Sequence, residues 1–277
     1  MAEYRIPRYA WVILLSILLS PIESASQSYY AHNGTLVIIG GGEIPDTLYS
    51  LFAARIGGRD KPVVYIPTAT GDEEWIKAGK HLLKFSDRGF TNLSTVHTRD
   101  KSQADQPSNL EAVRKAKGVF IGGGDQSRLE KAYGGTRLLQ ELGVLLDRGG
   151  VIMGTSAGAT IMGSLLIGGD HRKTPHVPQI FDKGFSFMQR TAIDQHVLAR
   201  NRQFDLVPVL ENHPNTLGLA IDESTAAVVT PGSIQVVGKS FMLVFDPKDW
   251  DRQRKEWGRV YQPFRMYAPG AVWKMDR

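Results

Sequence analysis

From Thr35 onward, short apolar runs alternate with longer stretches in which apolar residues recur at helical spacing. The runs Thr35 to Ile39, Val63 to Ile66, Gly118 to Ile121 and Val151 to Met153 are almost wholly apolar and rich in β-branched residues. That is the pattern of strands buried on both faces of a parallel sheet. Between them, Pro45 to Ala54, Glu73 to Arg88, Ser108 to Lys117 and Ser127 to Arg148 read as helices. Strand and helix in alternation predict an α/β fold with right-handed crossovers. Four later runs, Gly218 to Ile221, Ala226 to Val229, Ile234 to Val237 and Met242 to Phe245, are closely spaced and joined by turns such as Pro231-Gly232. They are expected to pair antiparallel at an edge of the sheet. There is no internal repeat and no low-complexity segment.

The first residues break this alternation. Arg5 and Arg8 precede an apolar stretch from Ala10 to Leu19, followed by Pro21 and the small residues Ser24-Ala25-Ser26. Charged, apolar and small-residue regions in that order describe a secretion signal over residues 1–26. The apolar stretch is too short for a bilayer, which needs about twenty residues. At the other end, residues 247–277 are rich in charges and aromatics (Trp250, Trp257, Tyr261, Phe264, Tyr267 and Trp273). They are expected to form a C-terminal extension packed on the main domain, residues 34–246.

Composition narrows the chemistry. The 277 residues include no cysteine, which excludes disulfides, a thiolate nucleophile and cysteine-ligated metal. Lys and Arg number 33 against 28 Asp and Glu, a net charge of +5 with no concentrated basic run, so nucleic acid is not implied. No His-Glu-x-x-His occurs, and His171 with His176 is spaced wrongly for one helical face, so no metal site is expected.

The most specific local signal is Gly154-Thr155-Ser156-Ala157-Gly158, placed between the apolar run Val151 to Met153 and Thr160-Ile161-Met162. This is a G-x-S-x-G nucleophile elbow: glycines flank the serine because a sharp, strained turn leaves no room for neighbouring side chains. Serine needs a base. His196, at the end of Ile193-Asp194-Gln195-His196 and shortly before Arg200 and Arg202, is the leading candidate, with His171, His176 and His213 as rivals. A carboxylate must orient that base. Glu223, just past an apolar strand, competes for the role with Asp170. Two glycine runs remain, Gly40-Gly41-Gly42 and Gly122-Gly123-Gly124. Neither fits a dinucleotide or Walker pattern, since Pro45 stands where the first would need glycine. Both read as places where backbone must approach another group closely. The second is positioned to supply an oxyanion amide from Gly123 or Gly124, and Gln126 to point into the cleft.

Phe120 to Leu129 (FIGGGDQSRL), Gly154 to Ala159 (GTSAGA), Ile193 to Arg202 (IDQHVLARNR) and Ile221 to Thr225 (IDEST) together resemble the cyanophycinases, serine peptidases related to the α-aspartyl dipeptidases of the peptidase E type. The resemblance runs from about Gly34 to Phe245. It implies a flavodoxin-like, mostly parallel sheet flanked by helices, similar to class I glutamine amidotransferases, with antiparallel edge strands. It also implies Ser156 as nucleophile, His196 as base and Glu223 as the acid that orients it. Ala157 with Gly123 or Gly124 would form the oxyanion hole, and Gln126, Asp194, Gln195, Arg200 and Arg202 would line the substrate pocket. The chain departs from the family at one point: where a third arginine is expected, three residues beyond Arg202, it has Asp205.

The function this implies is a secreted or periplasmic bacterial hydrolase that needs no cofactor. Its substrate would be an aspartyl peptide, polymeric or small, with cyanophycin and its β-aspartyl-arginine units as the leading case. A dipeptidase on other aspartyl peptides and an inactive binding relative are the alternatives. No nucleic acid and no stable membrane insertion are expected, and a homodimer is left open.

Overall fold

Alternate residues of the first strand belong to two different cores. Leu36 and Ile38 join one apolar cluster, and Val37 and Ile39 join another. This is the period-two geometry of a strand buried on both faces. The computed structural model of the chain describes residues 28–168, 180–181, 183–249 and 263–275. The N-terminal apolar run, Asp170, His171, His176, Trp250, Trp257 and Tyr261 lie outside the described residues.

In chain order the elements are β1 (Thr35–Ile39), α1 (Asp46–Ile56), β2 (Val63–Ile66), α2 (Glu73–Lys77), α3 (Leu83–Ser86), β3 (Leu93–Thr95), α4 (Pro107–Lys115), β4 (Gly118–Ile121), α5 (Gln126–Tyr133), α6 (Arg137–Asp147), β5 (Val151–Thr155), α7 (Ala157–Thr160), β6 (Gly163–Ile167), β7 (Ile180–Phe181) and β8 (Met188–Gln195). After them come α8 (Leu206–Asn212), β9 (Leu217–Ile221), β10 (Thr225–Thr230), β11 (Ser233–Gly238), β12 (Met242–Phe245), β13 (Arg265–Tyr267) and β14 (Val272–Lys274). An eight-stranded sheet has the order β14-β11-β10-β1-β5-β4-β2-β3, parallel from β1 through β3 and antiparallel beyond β1 on the other side. A second, six-stranded sheet has the order β13-β12-β9-β8-β6-β7.

The α/β architecture is the expected one, a large mostly parallel sheet flanked by helices. The four late strands, however, divide between two sheets. Strands β10 and β11 extend the large sheet antiparallel, whereas β9 and β12 pair with each other in the second sheet, and β9 runs parallel to β8. Between the sheets lies a core formed by Ile38, Ile121 and Ile152 with Ile193, Leu219 and Val244. The outer face of the second sheet packs Ala192, Ala220 and Leu243 on Leu206, Val209 and Leu210 of α8. The far face of the large sheet packs on α1 through Leu48, Phe52 and Ile56.

Two expected helices are interrupted. The stretch 73–88 breaks at Gly79 (φ 67) and continues as a 3-10 turn and then α3. The stretch 127–148 breaks at Gly134-Gly135, where Gly135 takes φ 70 and Thr136 opens α6 by accepting a hydrogen bond from Leu139 N. A glycine in the left-handed region stops one helix, and a threonine N-cap starts the next. The same logic ends α1: Gly57 at φ 90 lets the N–H groups of Gly57 and Gly58 reach Ala54 O (3.3 Å) and Ala53 O (2.9 Å).

The parallel strands end in step. Ile39 is opposite Thr155, Ile121 opposite Gly154, and Ile66 opposite Ile121. The loops that begin at Gly40, Pro67, Gly122 and Ser156 therefore leave from one edge of the sheet, the carboxyl edge where open α/β sheets assemble their sites.

Candidate active site

Ser156 stands between β5 and α7 with φ 54 and ψ −115, outside the regions that L-residues ordinarily occupy. The turn tolerates this because its neighbours lack side chains. A Cβ on Gly154 would fall 2.3 Å from Gly158 O, and one on Gly158 would fall 2.2 Å from Ile121 O. Ser156 N donates to Ile39 O at 3.0 Å, which ties the elbow to the neighbouring strand.

His196 follows β8 in the second sheet, and Glu223 follows β9 beside it. The side chains meet in series. His196 Nε2 lies 3.0 Å from Ser156 Oγ, and His196 Nδ1 lies 2.5 Å from Glu223 Oε1. A carboxylate on Nδ1 selects the tautomer that carries its proton there, leaving Nε2 free to accept from the serine. The Ser156 hydroxyl is also 3.3 Å from Gln195 Oε1, so its single proton has two acceptors in reach. His196 is 6% exposed. Burial pushes its pKa below the ordinary histidine value. The bond to Glu223 pulls the other way, Arg200 lowers it further, and the charges of Glu223 and Asp222 raise it.

The first glycine run is the seat of this pair. A Cβ on Gly41 (φ 113) would lie 2.1 Å from His196 Cε1, and one on Gly42 (φ 68) would lie 2.8 Å from Glu223 Oε2. Backbone bonds hold the parts in register: His196 N donates to Gly40 O (2.7 Å), Gly40 N to Thr225 O (3.0 Å) and Ser224 N to Gly41 O (2.9 Å). His196 (φ 56) and Ser224 (φ 53) are both in the left-handed half of the map, as is Ser156. Non-glycine residues with positive φ are uncommon, and here three of them surround one hydrogen-bonded chain.

The second run lies on the other side of the serine. A Cβ on Gly123 would be 3.2 Å from Ser156 Cβ. Gly122 N is already used by Ile66 O at 3.0 Å, so the candidate oxyanion amides in this run are those of Gly123 and Gly124. Gly124 (φ 139) passes directly over Ala69 O, where a Cβ would come within 2.1 Å. The supporting loop is clamped by two arginines: Arg128 donates to Ala69 O (3.1 Å), and Arg99 donates to both Thr68 O and Thr70 O.

The expected pocket residues are near but differ in accessibility. Asp194 is 1% exposed and accepts from Gln195 N (2.8 Å). Gln126 is buried, with its amide committed to Ile167 O (2.8 Å). Arg202 is buried and donates to Gln195 O (3.3 Å), whereas Arg200 is exposed and its N–H bonds His196 O (3.0 Å). Asp205, where a cation was expected, is buried at the start of α8, and its charge acts on Arg202. The local charge reversal is thus partly spent inside the protein.

Among the other described histidines, His32 bonds Asp147, His81 bonds Thr95, His97 bonds Thr68 and Glu73, and His213 caps α8. Asp170, the rival acid, lies outside the described residues. One buried acid escaped the sequence reading. Asp222 accepts from the N–H groups of Leu198 (3.0 Å) and Ala199 (2.9 Å) and from Ser240 Oγ (2.6 Å). Nothing in the residue pattern separates its role from that of Glu223, since the two acids are adjacent.

Similarity to known proteins identifies the family. Residues 36–237 match the family model described as Peptidase family S51. The chain is 29% identical over 256 residues to a cyanophycinase from Synechococcus elongatus, covering 90% of this chain and 79% of that one. It is 32% identical over 219 residues to a cyanophycinase from Geminocystis herdmanii, covering 76% and 80%. A crystal structure of a peptidase from an acI-B1 Actinobacterium superposes with a TM-score of 0.68 at 23% identity, covering 88% of this chain and 97% of that one, a likeness of fold. The match over most of its length places this chain in peptidase family S51, as a serine-type peptidase.

Proposed function

We propose that this peptidase hydrolyses aspartyl peptide bonds through Ser156, His196 and Glu223, and that its substrate is cyanophycin, cut to β-aspartyl-arginine dipeptides. The observation that carries the reading is the unbroken series Ser156 Oγ, His196 imidazole and Glu223 carboxylate, at 3.0 and 2.5 Å, on a strained elbow.

His196 Nε2 takes the Ser156 proton as Oγ attacks the scissile carbonyl carbon. The carbonyl oxygen becomes an oxyanion, held by the amides of Ala157 and of Gly123 or Gly124. Glu223 stabilises the imidazolium, which then protonates the leaving amine as the carbon–nitrogen bond breaks. Water, deprotonated by His196, attacks the acyl-enzyme and releases the acid with Ser156 restored. No metal or organic cofactor enters these steps.

Substrate recognition draws on the charged groups beside the histidine. Arg200, exposed on the turn after His196, supplies a cation for aspartyl carboxylate, and Gln195, whose Oε1 lies 3.3 Å from Ser156 Oγ, supplies an oxygen acceptor for a guanidinium, with Asp194 buried behind it on Gln195 N. The cyanophycinase names of the relatives support the same substrate. We place the activity outside the cytoplasm, with residues 1–26 as a cleaved leader, because a polymer that cannot cross a membrane must be cut outside it.

The test is incubation of the purified chain with cyanophycin and with α- and β-aspartyl dipeptides, with products read by mass. Release of β-aspartyl-arginine from the polymer is the expected result. Cleavage of the dipeptides alone would reassign the protein as a dipeptidase, and cleavage of none would overturn the substrate class.

A further inference from the structure

The two acids at the end of β9 leave the backbone toward different targets. Glu223 turns to the His196 ring, while Asp222 turns to the peptide that follows the histidine. Its Oδ1 accepts from Leu198 N and Ala199 N at 3.0 and 2.9 Å, and its Oδ2 accepts from Ser240 Oγ at 2.6 Å. Asp222 is 7% exposed, and its own N–H donates to Phe241 O (3.1 Å), so the carboxylate is anchored from behind by the turn between β11 and β12.

His196 itself needs such an anchor. It holds a positive φ of 56, a conformation uncommon for a residue with a side chain, and its ring lies against Gly41, where a Cβ would come within 2.1 Å of Cε1. One side of the residue is fixed by His196 N on Gly40 O. The other side is the turn through Leu198 and Ala199, closed by Arg200 N on His196 O (3.0 Å). Of the side chains described, Asp222 is the one that binds two consecutive N–H groups of that turn.

We propose that Asp222 is a positioning residue for the base: by clamping Leu198 N and Ala199 N, it holds the strained His196 backbone so that Nε2 faces Ser156 and Nδ1 faces Glu223. The inference rests on His196 acting as the base and adds a second carboxylate with a separate task. It also has an electrostatic side. The charged groups acting on His196 are Glu223, Asp222 and Arg200, and Asp222 favours the protonated ring. Removing its charge therefore moves the histidine titration to lower pH, which loss of packing alone would not do.

The test compares Asp222→Ala and Ser240→Ala with the wild type in three readouts: kcat and KM on a peptide substrate, the pH profile of kcat/KM, and the rate at which a fluorophosphonate labels Ser156. Asp222→Ala, which removes both acceptor oxygens, should lower kcat and the labelling rate by about 10- to 100-fold with little change in KM, as expected for a misplaced catalytic group. Its acid limb should move to lower pH. Ser240→Ala keeps the charge and loosens the anchor, so it should slow labelling by a smaller factor without moving the limb. A folded Asp222→Ala protein with wild-type kcat and limb would overturn the inference. If that variant does not fold, an unchanged labelling rate in Ser240→Ala overturns it instead. Failure of the parent reading looks different: Ser156→Ala would then keep its turnover.

Discussion

Gly41 and His196 are in such close contact that a single added carbon on the glycine would sit 2.1 Å from the imidazole Cε1. With φ at 113, the position also disfavours any L side chain. Gly41→Ala should therefore push the ring off Ser156 and lower kcat/KM by roughly 100-fold, the scale of a misplacement near 1 Å. Steady-state kinetics alongside circular dichroism checks this. A folded Gly41→Ala protein with wild-type kinetics would show that the ring does not need that gap.

Only the neutral imidazole can accept the serine proton, so kcat/KM should rise with pH through the His196 titration. Burial lowers that pKa, which puts the acid limb below the ordinary histidine value of about 6.5. Glu223 acts in the opposite direction, favouring the charged ring. Glu223→Gln should thus move the limb lower still while cutting kcat by about four orders of magnitude. A limb that moves upward in this variant would contradict the assignment.

The glycine runs illustrate how far the sequence could be read. That Gly40-Gly41-Gly42 must meet another group closely follows from three glycines after a buried strand, but the partners, His196 and Glu223, lie more than 150 residues away on a different sheet. The parallel strands were legible because each is apolar end to end. Strand β8 was not, because Thr191, Asp194 and Gln195 are buried within it and break the apolar pattern that marks a strand. Without β8 the residue pattern gives no second sheet, and β9 and β12 read as edge strands of the first. The elbow was legible for the opposite reason: its chemistry is local, and the strained serine and its two glycines are contiguous. The Asp222 clamp had no such local signature.

Away from the site, Phe85 marks the centre of the aromatic core under the large sheet. It is fully buried, with ring centroids of Tyr49, Phe52, Tyr65, Phe90 and Phe120 at 5.0 to 6.1 Å. Phe85→Ala should cost about 3–5 kcal/mol in unfolding free energy, from lost transfer energy and the cavity left behind. Urea denaturation measures it. A loss under about 1 kcal/mol, the scale of an average substitution, would mean that the site collapses without penalty.

The central claim is that Ser156, activated by His196, is the nucleophile. The most direct measurement is intact mass and peptide mapping after exposure to a fluorophosphonate, run in parallel on the wild type, Ser156→Ala and His196→Ala. One adduct on Ser156 in the wild type is expected, none in Ser156→Ala and greatly slowed labelling in His196→Ala, with peptide turnover in both variants reduced by about six orders of magnitude. A wild type that cleaves peptides without labelling at Ser156, or a Ser156→Ala protein that still turns over, would contradict the account.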